Sequence, residues 1–193
     1  MFRKAITETY ADRHELVGLC DVNQGRARQA AQAVREAAGV EVPVYTDTDF
    51  DRMIEETRAE SVVVTTKDAL HDRYICRAME LGCDAVTEKP MTTDAEKCRR
   101  ILETRRRTGK SCRVTFNYRY APVRTQLKEL LMSGIIGNIL SVDFHWVLDT
   151  RHGTDYYRRW HRNKKNSGSL LVHKATHHFD LVNWMLSDVP DVV

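Results

Sequence analysis

Residues 61–90 read SVVVTTKDALHDRYICRAMELGCDAVTEKP, and the spacing of apolar positions in this stretch decides the fold class. Ser61–Thr65 is a short valine run, the pattern of a strand covered on both faces. Tyr74, Ile75, Ala78 and Met79 then recur at helical spacing, and Gly82 stands where a helix C-cap belongs. Asp84–Thr87 returns to a strand. A strand, a helix and a second strand make a right-handed crossover between parallel neighbours.

The same rhythm extends in both directions. Upstream, His14–Val22 (HELVGLCDV) is a short β-rich run ending in an acid. Ala27, Ala30, Ala31, Val34 and Ala38 form one helical face that stops at Gly39. Val42–Tyr45 is strand-like, and Phe50, Met53 and Ile54 mark another helix. Phe2, Ala5, Ile6, Thr9 and Tyr10 put a helix at the start of the chain. Downstream, Thr93-Asp94-Ala95-Glu96 reads as a capping box for an arginine-rich helix that ends before Gly109, and Cys112–Phe116 is again a strand. Strands alternating with helices predict an α/β fold with a doubly wound parallel sheet.

From Asn117 the rhythm changes. A helix (Val123–Met132), a glycine turn, a longer strand (Ile139–Leu148), a basic aromatic loop (Arg151–Asn166) and a closing helix (Ala175–Leu186) predict the opening of an α+β domain. The expected division is therefore 1–117 and 118–193.

Composition narrows the function classes. Of 193 residues, 42% are hydrophobic and 30% charged, with a net charge of +3, an ordinary globular mix. The basic clusters Arg99–Arg107 and Arg158–Lys165 fall short of a nucleic-acid-binding face, and no apolar run is long enough to span a membrane. The five cysteines are scattered, without a C-x-x-C pair, so neither a zinc ribbon nor a disulfide framework is expected. A reducing, cytoplasmic setting fits them.

Ligands of a doubly wound sheet bind beyond the carboxyl ends of the strands, which directs attention to Asp21, Thr65-Thr66, Glu88-Lys89 and Asn117. An acid in the place of Asp21 suits the ribose hydroxyls of NAD and opposes the 2′-phosphate of NADP. Arg26 is near enough to soften that preference, and a lone acid after a strand is also an ordinary turn residue. The glycine-rich G-x-G-x-x-G turn that cradles a pyrophosphate is not found; Gly134-Ile135-Ile136-Gly137 is only a turn. The expectation is that the first strand and that turn lie upstream of Met1, that the second domain continues past Val193, and that these 193 residues are inactive alone.

The chain resembles the Gfo/Idh/MocA family of glucose–fructose oxidoreductase and inositol dehydrogenase relatives. The resemblance runs through the Asp21 strand end, Val62–His71, Glu88-Lys89-Pro90, Asn117-Tyr118-Arg119, Gly134–Ile139 and Ser167–Trp184. It implies an NAD(P)-dependent oxidoreductase acting on a sugar, polyol or cyclitol, a homo-oligomer at full length, with dinucleotide binding in 1–117 and substrate chemistry in 118–193. By position it implies Lys89 and His177 as catalytic residues, with His173 where the family has an aspartate. Thr65, Thr66, His71 and Glu88 match positions that contact the nicotinamide half of the cofactor, and Asp180 matches a further acidic position. Two departures stand out besides His173: the family's proline and asparagine after the threonines are Lys67 and Asp68 here.

In hydride transfer from an alcohol, a lysine beside the cofactor stabilises developing negative charge, and His177 is the candidate for direct proton transfer. On one continuous helix His173, His177 and Asp180 would share a face. That set is compatible with a catalytic or substrate-binding cluster that includes Lys174, with a zinc site, or with capping and core histidines; the glutamate of H-E-x-x-H is missing. Arg119 and Trp160 are further candidates for substrate contact. The aromatics and cations of Arg151–Asn166 suit a sugar bearing a carboxylate or phosphate, and equally a solvated loop anchored by its rings. The other readings are a ligand sensor or regulator on the same scaffold and a metal-dependent hydrolase built on the His173, His177 and Asp180 face.

Overall fold

A computed structural model describes residues 1–191. The order is α1 (Phe2–Lys4, continued in wider turns over Ala5–Thr9), β1 (Leu19–Cys20), α2 (Gln24–Ala38), β2 (Val44–Tyr45), α3 (Phe50–Thr57), β3 (Ser61–Val64), α4 (His71–Glu80), β4 (Asp84–Glu88), α5 (Ala95–Thr108) and β5 (Cys112–Thr115). Then follow α6 (Pro122–Met132), the short α7 (Thr150–Gly153) and α8 (Asp155–Arg158), α9 (Ser169–His173) and α10 (Thr176–Leu186).

All strand pairs are parallel, in two ladders, β1–β2 and β3–β4–β5. Every strand therefore points its carboxyl end the same way within its ladder, and the turns after β3 and β4 lie side by side.

The core forms where α3, α4 and α5 cover these strands. Phe50, Met53 and Ile54 of α3, Tyr74, Ile75, Ala78 and Met79 of α4, and Ile101 of α5 pack with Val62, Val64 and Ala85. The Phe50 and Tyr74 rings meet edge to face, 5.1 Å between centroids. Ile75, Ala78 and Ile101 are fully buried, and burying an isoleucine side chain stabilises by about 1.5–3 kcal/mol.

Three expectations are corrected. The cap of α5 is Asp94, not Thr93: the Asp94 carboxylate accepts from the Lys97 N–H at 3.0 Å. Ile139–Leu148 forms no strand. Its backbone meets no ladder partner among the described residues, and Leu140 and Val147 are exposed; a strand without a neighbour leaves its N–H and C=O groups to water. Finally, 169–186 is two helices, with a break at Lys174-Ala175. Among the described residues no helix is long and apolar enough to cross a membrane, and all five cysteines are free thiols.

Candidate active site

The turns after β3 and β4 are locked together by a buried histidine. His71, the first residue of α4, is 1% exposed, and its ring nitrogens lie 2.9 Å from the Pro90 carbonyl oxygen and 3.1 Å from that of Thr66. His71 is thus a brace between the two turns. Thr65 and Thr66 are exposed and Glu88 is half-buried, so these remain open to a ligand.

Asp68 and Lys89 leave these adjoining turns and converge on α9. The Asp68 carboxylate, 2% exposed as a residue, lies 2.5 Å from Nδ1 of His173. Lys89, before a cis proline, places Nζ 3.0 Å from the His173 carbonyl oxygen and 3.3 Å from its Nε2. One residue, His173, therefore meets the lysine through its carbonyl oxygen and its Nε2, and is itself held by a carboxylate. Burial holds the Lys89 pKa below the usual lysine value, with Asp68 opposing that fall and Lys174 adding to it.

This contact also explains the helix break. In a continuous helix the His173 carbonyl would accept from the His177 N–H. Instead Lys89 donates to it, His177 N–H bonds to Lys174 O at 3.2 Å, and Ala175 N–H reaches back to Leu170 O at 3.1 Å. A side chain inserted into the hydrogen-bond ladder is a known cause of helix kinks.

Past the break, His177 turns to another partner. Its ring stacks on Tyr118, centroids 3.9 Å apart. It is 4% exposed, and its buried Nδ1 has no hydrogen-bond partner in the chain. Burial first, then the cations Lys89 and Lys174, push its pKa down to about 3, so the ring is neutral across the physiological range. Lys174, 6% exposed, donates to the Tyr118 hydroxyl at 2.6 Å.

The remaining expected residues are paired rather than free. Arg119 forms a two-pronged ion pair with Asp180. Both were expected at the substrate; each instead satisfies the other. Asp21, at the end of β1, takes both prongs of Arg26, at 2.6 Å each, and accepts from Asn23 N–H. Its carboxyl is held below the usual range by Arg26. The loop over 151–166 folds against the site, with the rings of Tyr156, Trp160 and His161 at 5.5, 5.7 and 4.6 Å from that of His173. Trp160 stacks on His161 at 3.8 Å. Tyr157 and most of the cations face solvent.

His173, His177 and Asp180 thus have three different partners on two helices. Among the described residues no three His, Cys, Asp or Glu side chains are placed to hold a metal ion. Asp68, Tyr118 and His161 are the site residues that sequence reasoning missed. For Asp68 a signal existed: it and His173 both depart from the family pattern, and they prove to be partners.

Comparison with known proteins identifies the family. The sequence profile described as "Oxidoreductase family, NAD-binding Rossmann fold" matches residues 2–116, and "Oxidoreductase family, C-terminal alpha/beta domain" matches 128–193. The chain belongs to the Gfo/Idh/MocA oxidoreductase family. A Bacillus subtilis protein named as an oxidoreductase, YteT, is 38% identical over 193 residues, 100% of this chain and 45% of that protein. An inositol 2-dehydrogenase/D-chiro-inositol 3-dehydrogenase of Lactiplantibacillus plantarum is 26% identical, covering 95% of this chain and 48% of its own length. The solved WlbA dehydrogenase from Bordetella pertussis, in complex with NADH and UDP-GlcNAcA, superposes with a TM-score of 0.74 at 25% identity, over 94% of this chain and 52% of that one. The chain spans about half the length of these relatives.

The Gfo/Idh/MocA family is one that binds NAD through a Rossmann fold, and the residues present fit the ribose and nicotinamide portions of that cofactor. Asp21 keeps carboxylate lone pairs beyond those that Arg26 and Asn23 use, since an ionised carboxylate offers about four acceptor positions. Thr65 and Thr66 lie exposed after β3, and Nδ1 of His177 is buried with its hydrogen-bonding capacity unused by the chain.

Proposed function

We propose that the full-length protein moves a hydride between NAD and a hydroxyl-bearing carbon of a sugar, polyol or cyclitol. The observation that carries this reading is Lys89 Nζ, set against the carbonyl oxygen and Nε2 of His173 and of lowered pKa, in the Rossmann half of an oxidoreductase-family chain. Bound NAD would supply the hydride acceptor or donor.

The residues divide the remaining work. A neutral Lys89 amine has two N–H bonds and one lone pair. With both N–H bonds given to His173, the lone pair is left to take the proton of the substrate hydroxyl. Once protonated, the third N–H donates to that oxygen. A proton acceptor works best with a pKa near the operating pH, which suits a lysine lowered from its usual value better than a histidine near 3. The reading of His177 as the direct base therefore gives way. A neutral His177 instead offers Nδ1 to the substrate without competing for a positive charge. Asp21 is placed for the adenosine ribose, with NAD preferred over NADP, and Glu88, Thr65 and Thr66 line the nicotinamide side. The boundary between cofactor and substrate halves is proposed near Asn117.

Titration of the full-length protein with NADH and NADPH, followed by energy transfer from tryptophan to nicotinamide, tests the cofactor half. A screen of sugars, polyols and cyclitols with NAD, using Lys89→Ala as control, tests the chemistry. The expected loss in the control is roughly 10²–10⁴-fold in kcat. Absence of binding to either dinucleotide would overturn the proposal.

A further inference from the structure

The two departures from the family pattern, Asp68 and His173, are in contact. Where the resemblance implies an asparagine in the turn after β3 and an aspartate on the helix, this chain has a carboxylate in the turn and an imidazole on the helix. The negative charge has moved by one side chain, and the imidazole bridges it to the lysine.

We propose that Asp68 is a positioning residue for Lys89, acting through His173: it fixes the histidine as the Nδ1–H tautomer, so that Nε2 accepts from the lysine. This deepens the oxidoreductase reading and rests on it. For a neutral His173 ring, the contact with the Asp68 carboxylate selects one hydrogen-bond assignment. A carboxylate only accepts, so at 2.5 Å from Asp68 the Nδ1 position must carry the proton. A neutral ring then has a bare Nε2, which is what a Lys89 N–H 3.3 Å away requires. The His173 carbonyl takes a second N–H at 3.0 Å. Two of the lysine's positions are thereby fixed in direction, and the third is left for substrate. With the opposite tautomer, Nε2–H would donate to the lone pair of the neutral amine, and the position that takes the substrate proton would be lost.

The pair is shielded well enough to hold one tautomer. Asp68 and His173 are both buried. The titratable and charged groups around His173 and Lys89 are Asp68 from the turn after β3, Glu88 from β4, Tyr156 and His161 from the aromatic segment, and Lys174 and His177 from the end of α9 and start of α10. Asp68 and Glu88 are the carboxylates among them, and Asp68 acts more strongly on Lys89.

The informative substitution is Asp68→Asn, which keeps shape and burial but can donate to Nδ1. That permits the Nε2–H tautomer. In the full-length protein kcat is expected to fall about 10- to 100-fold, the usual loss when the partner orienting a functional histidine is removed, with NADH affinity unchanged. Loss of the negative charge also lowers the Lys89 pKa further, so the limb of the pH–rate profile that reports Lys89 moves to lower pH. The double variant Asp68→Asn/His173→Asp, which returns the carboxylate to the helix, is expected to be more active than the product of the two single losses predicts. Selective ¹⁵N-histidine spectra, with His173 assigned by His173→Gln, read the tautomer without any need for turnover. Nδ1–H is expected in the native protein and Nε2–H in Asp68→Asn.

An unchanged tautomer in Asp68→Asn, or an Nε2–H ring in the native protein, would overturn the inference. So would strictly multiplicative losses, or unchanged kcat and pH profile in Asp68→Asn of an active enzyme. Failure of the native protein to turn over any hydroxyl substrate would instead count against the oxidoreductase reading, and the spectra would still decide the tautomer.

Discussion

The imidazole of His177 lies flat on the phenol of Tyr118, with centroids 3.9 Å apart and planes 4° from parallel, while Lys174 donates to the same phenol at 2.6 Å. One tyrosine from the turn after β5 thus anchors two residues of the chain on either side of the helix break. Tyr118→Phe keeps the stack and removes the acceptor. Lys174 is 6% exposed, so its ammonium loses a hydrogen bond that water cannot freely replace. A stability loss of about 1–3 kcal/mol is expected, read as a lower urea midpoint of the full-length protein at unchanged slope. An unshifted midpoint would mean that Lys174 finds another partner at no cost.

Burial of neutral His177 sets a pH dependence of stability. Its pKa in the fold, about 3, lies below the ordinary 6.5. Between these values the unfolded chain binds a proton that the native protein does not, so stability rises with pH through this window and the contribution is level above about 6.5. The slope from this one group is at most about 1.4 kcal/mol per pH unit. His177→Gln should flatten the change in urea midpoint between pH 6.5 and 4 relative to the native protein. Parallel curves for the two proteins would contradict the neutral, buried assignment.

The Arg119–Asp180 pair was expected at the substrate and is found as a structural tie. The Asp180 side chain is 7% exposed and that of Arg119 36%, so removing the arginine strands a buried carboxylate. Arg119→Leu should cost up to about 3 kcal/mol, at the lower end for a buried pair because the guanidinium keeps some water. Asp180→Leu combined with Arg119→Leu should cost less than Arg119→Leu alone, since no charge is then left unpaired. If Arg119 bound substrate instead, its removal would raise KM and leave the urea midpoint where it was.

Much of the Rossmann half was legible because its determinants are local. Val62–Val64 announces a buried strand, Gly39 and Gly109 take the left-handed conformation that ends a helix, with φ of 69° and 70°, and the helical faces follow a period that needs no tertiary information. The active-site geometry was legible only as a set of residues. His173, His177 and Asp180 do not share a helix face, because Lys89, 84 residues away from His173 in sequence, takes the carbonyl that would have continued the helix. No local pattern encodes that contact. Likewise Ile139–Leu148 carries the alternation of a strand, but alternation states which faces a strand would have, not whether a neighbour is there to pair with it.

Arg26 is not loosely near Asp21; it chelates it. While the aspartate is present, the guanidinium is committed and the paired charges nearly cancel at a 2′-phosphate. Asp21→Ser should release Arg26 to meet that phosphate and remove the repelling carboxylate together. The ratio of NADPH to NADH affinity should then rise by about tenfold or more, equivalent to about 1.4 kcal/mol. Direct titration of both reduced cofactors reads this ratio. Asp21→Ser/Arg26→Ala should bring the ratio back down; a ratio that stays high would mean that another cation holds the phosphate.

Gly168 lies just ahead of α9, and there the side chain of Val172 leaves no room. A Cβ at Gly168 would stand 2.6 Å from Cβ and Cγ1 of Val172, and Val172 precedes His173. The branched valine has little rotamer freedom to retreat, so Gly168→Ala must shift the turn of helix that presents His173 to Lys89. Overpacking of this kind costs about 1–3 kcal/mol, and kcat should fall while NADH affinity is retained. Gly168→Ala/Val172→Ala restores the space and should recover much of the lost rate. Recovery would place the loss in the contact itself, whereas a double variant no better than Gly168→Ala would mean that the glycine is needed for its backbone and not for its closeness to Val172.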